Sequence, residues 1–259
     1  MRKPFGLLTL AALPVLACGG SSPEPSAAPP ATTAPAARPG AAAQAAPAAG
    51  ATTISGKISF DGTAPTPEKI KTSADPKCQA MHPQGMEKKV VDVNNGGLAN
   101  VFVWLKSGVT GSQPVPAEPV LLDQQGCEYH PHIITVRTGQ NITIRNSDDT
   151  LHNIHPHPTV NKDFNIGQAR KGMEAQRAFD KQEIMFPVGC DVHPWMRSYI
   201  SVVDHPYFTV SKEDGTYEIK NVPPGDYEIE AIHEKLKNQT QKITVKAGTP
   251  AKADFAFKG

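Results

Sequence analysis

Three side chains that bind metals well lie close together in the segment CDVHPWM, residues 190–196. Cys190, His193 and Met196 supply a thiol, an imidazole and a thioether at intervals of three residues. Each alone says little, because buried cysteine and methionine usually belong to a hydrophobic core. A second segment upstream, DTLHNIH at residues 149–155, adds imidazoles directly after the strand-like run that ends in Asn-Ser-Asp. The two segments together are the strongest candidates for chemistry in the chain.

The chemistry that they predict is metal ligation. With His152 from the upstream segment, they offer two imidazoles, one thiolate and one thioether, which is the ligand set of a blue-copper centre. Cys190 at the end of a strand, with His193 and Met196 on the following loop, would surround one face of an ion. The first histidine is expected from a different strand across the sandwich. Such a rigid site would hold one type 1 copper ion and need little rearrangement between Cu(I) and Cu(II).

The elements that must position these ligands are predicted to be β-strands. Strand patterns cover residues 53–60, 133–138, 142–145 and 198–203, and the dense apolar run at 101–106 is typical of a buried strand. Gly, Pro and Asn separate these runs, and no segment shows a sustained helical period, although Gly167–Gln182 could hold a short turn of helix. The predicted fold class is therefore all-β, as a sandwich or barrel.

A second unit is predicted from His205 onwards. Residues 208–220 read as a hairpin around the turn Asp214-Gly215, and further alternating strands follow. The run DGTYEIKNVPPGDYEIEAIHE resembles the carboxypeptidase regulatory-like (transthyretin-like) β-sandwich over most of residues 205–259. Modules of that family usually support or dock, and no constellation of active-site residues is evident in this one.

The upstream part resembles a different family. The pattern T-L-H-N-I-H, about 38 residues, then C-x-x-H-P-aromatic-M-R is similar to the cupredoxins, especially the amicyanin type, over residues 133–204. The resemblance implies a Greek-key β-sandwich, an electron carrier, and copper ligands at His152, Cys190, His193 and Met196. It also implies that Asn153 locks the loops and hydrogen-bonds around the cysteine sulfur. The sequence departs from the family before Cys190, where FPVG lacks the usual tyrosine.

Two further features concern the surroundings of the predicted centre. His155 and His157 add imidazoles near it, so that His155 could replace His152 as a ligand and both could form an auxiliary metal site. The resemblance also implies that His193 is the ligand nearest solvent. Pro194 and Trp195 would then form an apolar docking patch for a redox partner such as a cytochrome or dehydrogenase, although Trp195 could instead be a packed aromatic that supports the loop.

The amino terminus reads as a targeting segment. Two basic residues precede a short apolar stretch, and the sequence VLAC that ends at Cys18 resembles the lipobox of bacterial lipoproteins. Residues 1–18 would be the signal, with Cys18 lipidated; the alternative is an ordinary signal peptide with an incidental cysteine. Gly19 in place of Asp favours the outer membrane. Residues 19–52, rich in Ala and Pro, form a predicted tether.

Cysteine pairing follows from that assignment. If Cys18 carries lipid, Cys78 and Cys127 are the natural disulfide pair in an oxidising compartment, which leaves Cys190 unpaired. A competing assignment uses the same two cysteines with His82, His130 and His132 as a second metal site. The expected division is a copper domain at 53–204, with an amino-terminal extension, followed by the module at 205–259; residues 53–110 could also pair with that module.

Composition narrows the class of function. There are 26 basic and 25 acidic residues and no basic run with interleaved aromatics, so nucleic acid is not an expected partner. No Ser-His-Asp pattern, phosphate-binding glycine loop or carboxylate pair stands out, so an enzyme is not expected. The leading hypothesis is a lipid-anchored blue-copper electron carrier of the cell envelope. The alternatives are a copper-binding, delivery or sensing protein, and a structural or carbohydrate-facing module with a vestigial metal site.

Overall fold

The structure, a computed structural model, describes residues 49–259, which all belong to one compact unit. The predicted signal sequence, the lipidation site at Cys18 and nearly all of the predicted tether lie outside the described residues. Within the described part the regular secondary structure is almost entirely β-strand, with a single six-residue helix, so the predicted all-β class is confirmed. That helix is too short to cross a bilayer, and no other stretch of residues 49–259 forms a membrane-spanning helix.

The single helix, α1, spans Pro76–Met81. The strands, in chain order, are β1 Thr52–Asp61, β2 Glu68–Ile70, β3 Met86–Lys88, β4 Val93–Asn94, β5 Gly97–Leu98, β6 Phe102–Ser107, β7 Val120–Gln125, β8 Glu128–His130, β9 Ile133–Arg137, β10 Ile142–Asn146, β11 His152–Pro156, β12 Ile166–Gln168, β13 Glu174–Arg177, β14 Glu183–Gly189, β15 Arg197–Val203, β16 Phe208–Val210, β17 Thr216–Val222, β18 Gly225–Ile232, β19 Gln239–Val245, β20 Ala251–Lys252 and β21 Phe255–Lys258.

Strands from the two ends of the described chain form one sandwich, which we call the terminal sandwich. Its first sheet has the order β17-β1-β5-β4, with β20 and β21 also paired to β1, and its second has the order β16-β6-β18-β19. Apolar side chains from both sheets, among them Ile58, Leu105, Tyr217 and Ile229, are buried in one shared core. Strand β1 thus pairs with three carboxyl-terminal strands, β17, β20 and β21.

Residues 120–203 form the other sandwich, which we call the inserted sandwich. Its sheets have the orders β13-β10-β7-β8 and β12-β11-β14-β15-β9. Its core contains Leu122, Ile144, Ile200 and Val202, and it extends to Cys190 and Met196. The predicted centre therefore lies at one border of this core, where buried apolar side chains keep its surroundings rigid.

The inserted sandwich interrupts a pair of adjacent strands. Strand β6 pairs antiparallel with β16, and the N–H of Leu105 donates to the carbonyl of Tyr207 over 3.1 Å, although 102 positions separate these residues in sequence. A domain is readily inserted into another when the points at which the insertion begins and ends lie close together, as they do here.

The packing of strand β6 explains why residues 102–105 are all apolar. Val103 and Leu105 point into the core of the terminal sandwich. Phe102 and Trp104 point the other way, into a third apolar cluster shared with Ile133 and Val203 of the inserted sandwich. Because successive side chains of a strand face opposite sides, a strand that is covered on both faces needs no polar alternation.

Three expectations about organisation differ from the structure. Strands β1 and β6 pair with strands of the carboxyl-terminal module rather than with the copper domain expected at 53–204, because their apolar faces complete the core of the terminal sandwich. Strands β16 and β17 lie in different sheets. The turn Asp214-Gly215 therefore lies in a connection between two sheets and is not the turn of a hairpin. Residues 167–182 contain strands β12 and β13 and no helix, whereas the helix at 76–81 was not expected.

Candidate metal centre

Two neighbouring strands carry the candidate ligands. Strand β11 begins at His152, and β14 ends at Gly189, immediately before Cys190. The strands pair antiparallel with His155 opposite Gly189. His152 therefore comes from the strand beside the cysteine in the same sheet, and the expectation that it comes from across the sandwich is wrong.

The donor atoms of three predicted ligands converge. The Nδ1 atoms of His152 and His193 lie 3.0 Å apart, and the Sγ atom of Cys190 lies 3.7 Å from Nδ1 of His193. One ligand atom from each of the three residues lies within 4.8 Å of the other two. A first-row ion about 2.0–2.1 Å from imidazole nitrogen and about 2.3 Å from thiolate sulfur, as zinc is, fits between donors at these separations.

Met196 closes the ligand loop through its backbone. Its N–H donates to the carbonyl of His193 over 2.9 Å, and its carbonyl accepts from the N–H of Cys190 over 3.3 Å. The Met196 side chain is buried in the same apolar cluster as Cys190. The short loop from 190 to 196 thus keeps Met196 in the same buried cluster as the cysteine.

The Nε2 atoms of both imidazoles face carboxylates. Nε2 of His152 donates to Asp148 Oδ2 over 2.9 Å, and Nε2 of His193 lies 3.3 Å from Asp75 Oδ2. A neutral imidazole carries one N–H, so a proton held at Nε2 leaves a lone pair at Nδ1. Two lone pairs then face each other across 3.0 Å beside a cysteine sulfur, an arrangement that a cation between them would stabilise.

Hydrogen bonding within the centre shifts the pKa of Asp148 and that of His152 in opposite directions. Burial raises the pKa of Asp148, but hydrogen bonds from His152 and from the N–H groups of Cys127 and Gly126 outweigh it, so the pKa lies below its ordinary value. For His152, burial lowers the pKa, and the bonds to Asp148 and Cys190 raise it further than burial lowers it. The centre therefore favours an ionised Asp148 carboxylate and raises the proton affinity of the His152 imidazole.

Cys190 is the one free thiol among the described residues, and it is buried. Burial raises its pKa, but hydrogen bonding to His152 and His193 and the N–H of Asn153 lowers it to about 6 overall. The thiolate is the form of cysteine that ligates metals. At neutral pH this thiol is therefore ready to serve as a ligand.

Asn153 lies where the resemblance placed it. Its Oδ1 accepts from the Cys190 thiol over 3.2 Å and from the N–H of Asp191 over 2.7 Å. Its Nδ2 donates to Asn165 and Asp191, and its carbonyl accepts from the hydroxyl of Tyr129 over 2.5 Å. These bonds join strand β11 to the ligand loop and to β8.

The predicted auxiliary histidines lie beside the centre and not in it. The rings of His155 and His157 are 4.2 Å apart, and Nδ1 of His155 lies 3.2 Å from Asp191 Oδ1. Neither histidine belongs to the groups whose ligand atoms converge within residues 49–259. Those groups are His152 with Cys190 and His193, Asp75 with Cys78 and His193, and Cys127 with Asp148 and His152.

The predicted disulfide is confirmed, since Cys78 and Cys127 are joined. The competing second metal site is not assembled: Nε2 of His82 contacts the Gly126 carbonyl, and that of His130 the Gln125 carbonyl. His132 instead pairs with Glu234. Loss of the two thiols to the disulfide removes the sulfur ligands on which that alternative depended.

All four predicted ligands are inaccessible to solvent: His152 is 0% exposed, Cys190 5%, His193 1% and Met196 1%. The expectation that His193 is the ligand nearest solvent is wrong, because helix α1 covers its outer edge with Asp75 and Cys78. Pro194 is exposed. Trp195 is half-buried, and its Nε1–H donates to the carbonyl of Cys127 over 3.1 Å, which is the loop-supporting alternative.

Two residues of the centre, Asp75 and Asp148, were not anticipated from the sequence. Asp75 caps α1, with Pro76 in the first turn, so the pair Asp-Pro was an available signal for a helix start. Asp148 ends the turn after β10, where its side chain accepts two backbone N–H groups. Neither signal indicated that the carboxylates would meet the histidines.

Glu183, at the start of β14, anchors the loop that follows β11. Its carboxylate accepts hydrogen bonds from the N–H groups of Thr159, Val160 and Asn161 and from the Asn161 amide. Burial raises its pKa, but these bonds lower it from an ordinary 4.5 to about 2. A lowered folded-state pKa means stability that is present above pH 4.5 and is lost as the pH falls towards 2.

Replacing Glu183 with Gln tests this anchor. We expect the free energy of unfolding at pH 6–7 to fall by about 1–3 kcal/mol, because charged hydrogen bonds are lost. The difference between the two proteins should shrink as the pH falls from about 5 to 2.5, which denaturant unfolding at several pH values measures. An unchanged difference at pH 2.5 would contradict the assignment.

Comparison with known protein families finds a match in the carboxyl-terminal part of the chain. The family model of the carboxypeptidase regulatory-like domain matches residues 197–258. The chain contains such a domain. The matched range covers β15 to β21 and omits β1 and β6, which complete its sheets in the structure. No curated protein matches the chain.

Among solved structures, the matches include copper proteins at low similarity. A Cu-containing nitrite reductase from Thermus scotoductus SA-01 is 18% identical, with 38% of this chain and 25% of that chain covered and a TM-score of 0.33. An amicyanin variant in the Cu(I) state is 19% identical, with 37% and 96% covered and a TM-score of 0.30. A purple cupredoxin from Nitrosopumilus maritimus is 20% identical, with 32% and 97% covered and a TM-score of 0.28.

Proposed function

We propose that this chain is a type 1 copper protein of the cell envelope that carries single electrons. The observation that supports this most is the meeting of two imidazole Nδ1 atoms 3.0 Å apart beside a buried thiol, with both Nε2 atoms directed to carboxylates. Two histidines, one cysteine and a nearby methionine are the donor set of blue-copper centres. The residues therefore fit one copper ion.

The chain's own residues would do three things for that ion. His152, Cys190 and His193 would hold it, with Met196 on the core side of the ligand loop. The two carboxylates fix the imidazole tautomers. Apolar neighbours such as Ile154 and Val188 exclude water. Bound copper supplies one-electron oxidation and reduction, and a set of ligands fixed in this way changes little between the two oxidation states.

The rest of the proposal concerns location and partner. Lipidation at Cys18 would anchor the chain to the bacterial envelope, with the outer membrane favoured by Gly19. A redox protein such as a cytochrome or dehydrogenase would exchange the electron. Pro194, exposed beside the buried His193, remains available for docking. The terminal sandwich would serve as a support, and no reaction is assigned to either sandwich.

The test is a titration of residues 49–259 with Cu(II), followed by visible absorption. We expect an intense thiolate-to-copper band that saturates at one equivalent and disappears reversibly on one-electron reduction. Uptake of copper with no such band would favour copper handling through histidines instead. A protein that takes up no copper would refute both electron transfer and copper handling. The hypothesis of a structural module would then remain.

Copper binding for delivery or sensing is a second candidate, favoured by one observation. The rings of His155 and His157 lie 4.2 Å apart beside Asp191, close to the ligand loop. A second equivalent of copper that binds weakly, and is lost in a His155→Ala, His157→Ala double variant, would support that function. A single tight equivalent in both proteins would exclude it.

A further inference from the structure

Both imidazole ligands are supported by carboxylates that come from outside their own strand and loop. Asp148 lies on the turn before β11, and Asp75 lies at the start of α1, more than a hundred residues before His193. In many metal sites a carboxylate on the far nitrogen of a histidine fixes the ring and raises its basicity. Here the two carboxylates share an additional feature, since each is held by one half of the disulfide.

Asp75 uses its two oxygens for different purposes. Oδ1 accepts from the N–H groups of Lys77 and Cys78 at 2.7 and 2.9 Å and so caps α1. Oδ2 accepts from the hydroxyl of Thr150 at 3.0 Å and faces Nε2 of His193. The oxygen that meets the histidine is therefore fixed on both sides, and its position depends on that of the helix.

Asp148 is held in the same manner from the other half of the disulfide. Its Oδ1 accepts from the N–H of Gly126 and its Oδ2 from that of Cys127, each at 2.8 Å. Oδ2 also accepts from His152. The Cys78–Cys127 bond thus joins the two peptide N–H groups that hold the two carboxylates, and the Cys78 sulfur itself lies 3.6 Å from Nε2 of His193.

We propose that Asp75 and Asp148 are positioning residues for His193 and His152, and that the Cys78–Cys127 disulfide joins them into one brace over the outer face of the metal centre. This inference rests on the proposed copper site and adds the residues that set its geometry. The brace closes the edge of His193 to solvent, so metal affinity and reduction potential depend on residues 75–78, far from the ligands in sequence.

Asp75→Asn separates this role from that of helix capping. Asparagine caps helices as well as aspartate does, so Oδ1 can keep its bonds to α1. The second oxygen becomes an NH₂ group, which places a donor against the Nε2–H of His193. Asp149→Asn is the matched control, because it removes the same charge from a neighbouring carboxylate that pairs with Lys77 on the surface.

We expect Asp75→Asn to lower the affinity for copper by about 10–100-fold and to shift the reduction potential and the maximum of the thiolate band. Asp149→Asn should leave the copper affinity, the reduction potential and the band maximum unchanged. Thermal unfolding without metal shows whether either variant is folded. A Cys78→Ala, Cys127→Ala double variant should keep the band of Cys190 but bind copper more weakly than the wild type.

The outcomes distinguish this inference from the proposed function. If the wild type binds copper with the expected band, and Asp75→Asn matches it in affinity, potential and spectrum, the brace is refuted and the copper site stands. If Asp149→Asn shows the same changes as Asp75→Asn, the effect is one of overall charge, and the brace is again refuted. A wild type that takes up no copper overturns both.

Discussion

Substituting Ser for Cys190 should abolish the thiolate-to-copper band and weaken copper binding by more than about 100-fold. The estimate is a lower bound, because even the loss of a residue that hydrogen-bonds to a ligand typically lowers metal affinity or activity by about 10–100-fold. The sulfur of Cys190 converges with ligand atoms of His152 and His193, and hydrogen bonding in the centre lowers the pKa of Cys190 to about 6. Visible spectra and a competition titration with a copper chelator measure the two effects.

Two features make this variant informative. Serine is close in size to cysteine, and its hydroxyl can still donate to Asn153 Oδ1, so the loop is expected to fold. His155→Ala serves for comparison, because His155 contacts Asp191 at the surface and should keep the band when removed. A Cys190→Ser protein that retains the band, or a His155→Ala protein that loses it, would contradict the ligand set.

The second large effect concerns the carboxyl-terminal module. Residues 205–259 expressed alone should be unfolded, although the family match falls almost entirely within them. Strand β1 lies between β17 and the strands β20 and β21, and β6 lies between β16 and β18. Without both strands, Tyr217, Ile229 and Phe257 lose the side chains that cover them. Circular dichroism and proton NMR dispersion of the fragment measure its fold.

The matched control restores the missing strands. Residues 49–107 joined to 205–259 by a short Gly/Ser linker should fold and unfold cooperatively, because Leu105 and Tyr207 are hydrogen-bonded neighbours where the insertion begins and ends. Short flexible loops cost little to close. A folded 205–259 fragment, or an unfolded joined chain, would show that the strand pairing does not define the folding unit.

Local sequence patterns were sufficient for features whose causes are local. The apolar run of β6 predicted a buried strand, and short strand-like runs identified β9, β10 and β15. Three of the candidate ligands lie within seven residues of one another, so their proximity required no knowledge of the fold. His152 could be added because its segment follows a strand and carries imidazoles, and its donor atom indeed meets the others.

Features that depend on contacts between residues far apart in sequence could not be predicted from local patterns. Nothing in residues 53–60 specifies which sheet β1 joins, since alternation defines a buried face and not its partner. The meeting of Asp75 with His193 depends on where α1 lies after the disulfide forms. A carboxylate at a helix start reads as a cap from sequence, and only the fold shows that its second oxygen faces an imidazole.

Burial of His193 also changes how electron exchange is expected to occur. With α1 over the outer edge of the imidazole, a partner cannot contact that ring directly. The exposed apolar side chains next in sequence to the two histidine ligands are Leu151, Val192 and Pro194. Docking through these residues would place a redox partner against the ligand loop without removing the brace.

The most direct test of the central claim is X-ray absorption at the copper edge of residues 49–259 loaded with one equivalent of copper, measured in both oxidation states. We predict one sulfur neighbour at a short distance and two imidazole nitrogens, with little change in these distances between Cu(II) and Cu(I). Copper surrounded by nitrogen and oxygen alone, or a ligand set that differs between the two states, would contradict the account.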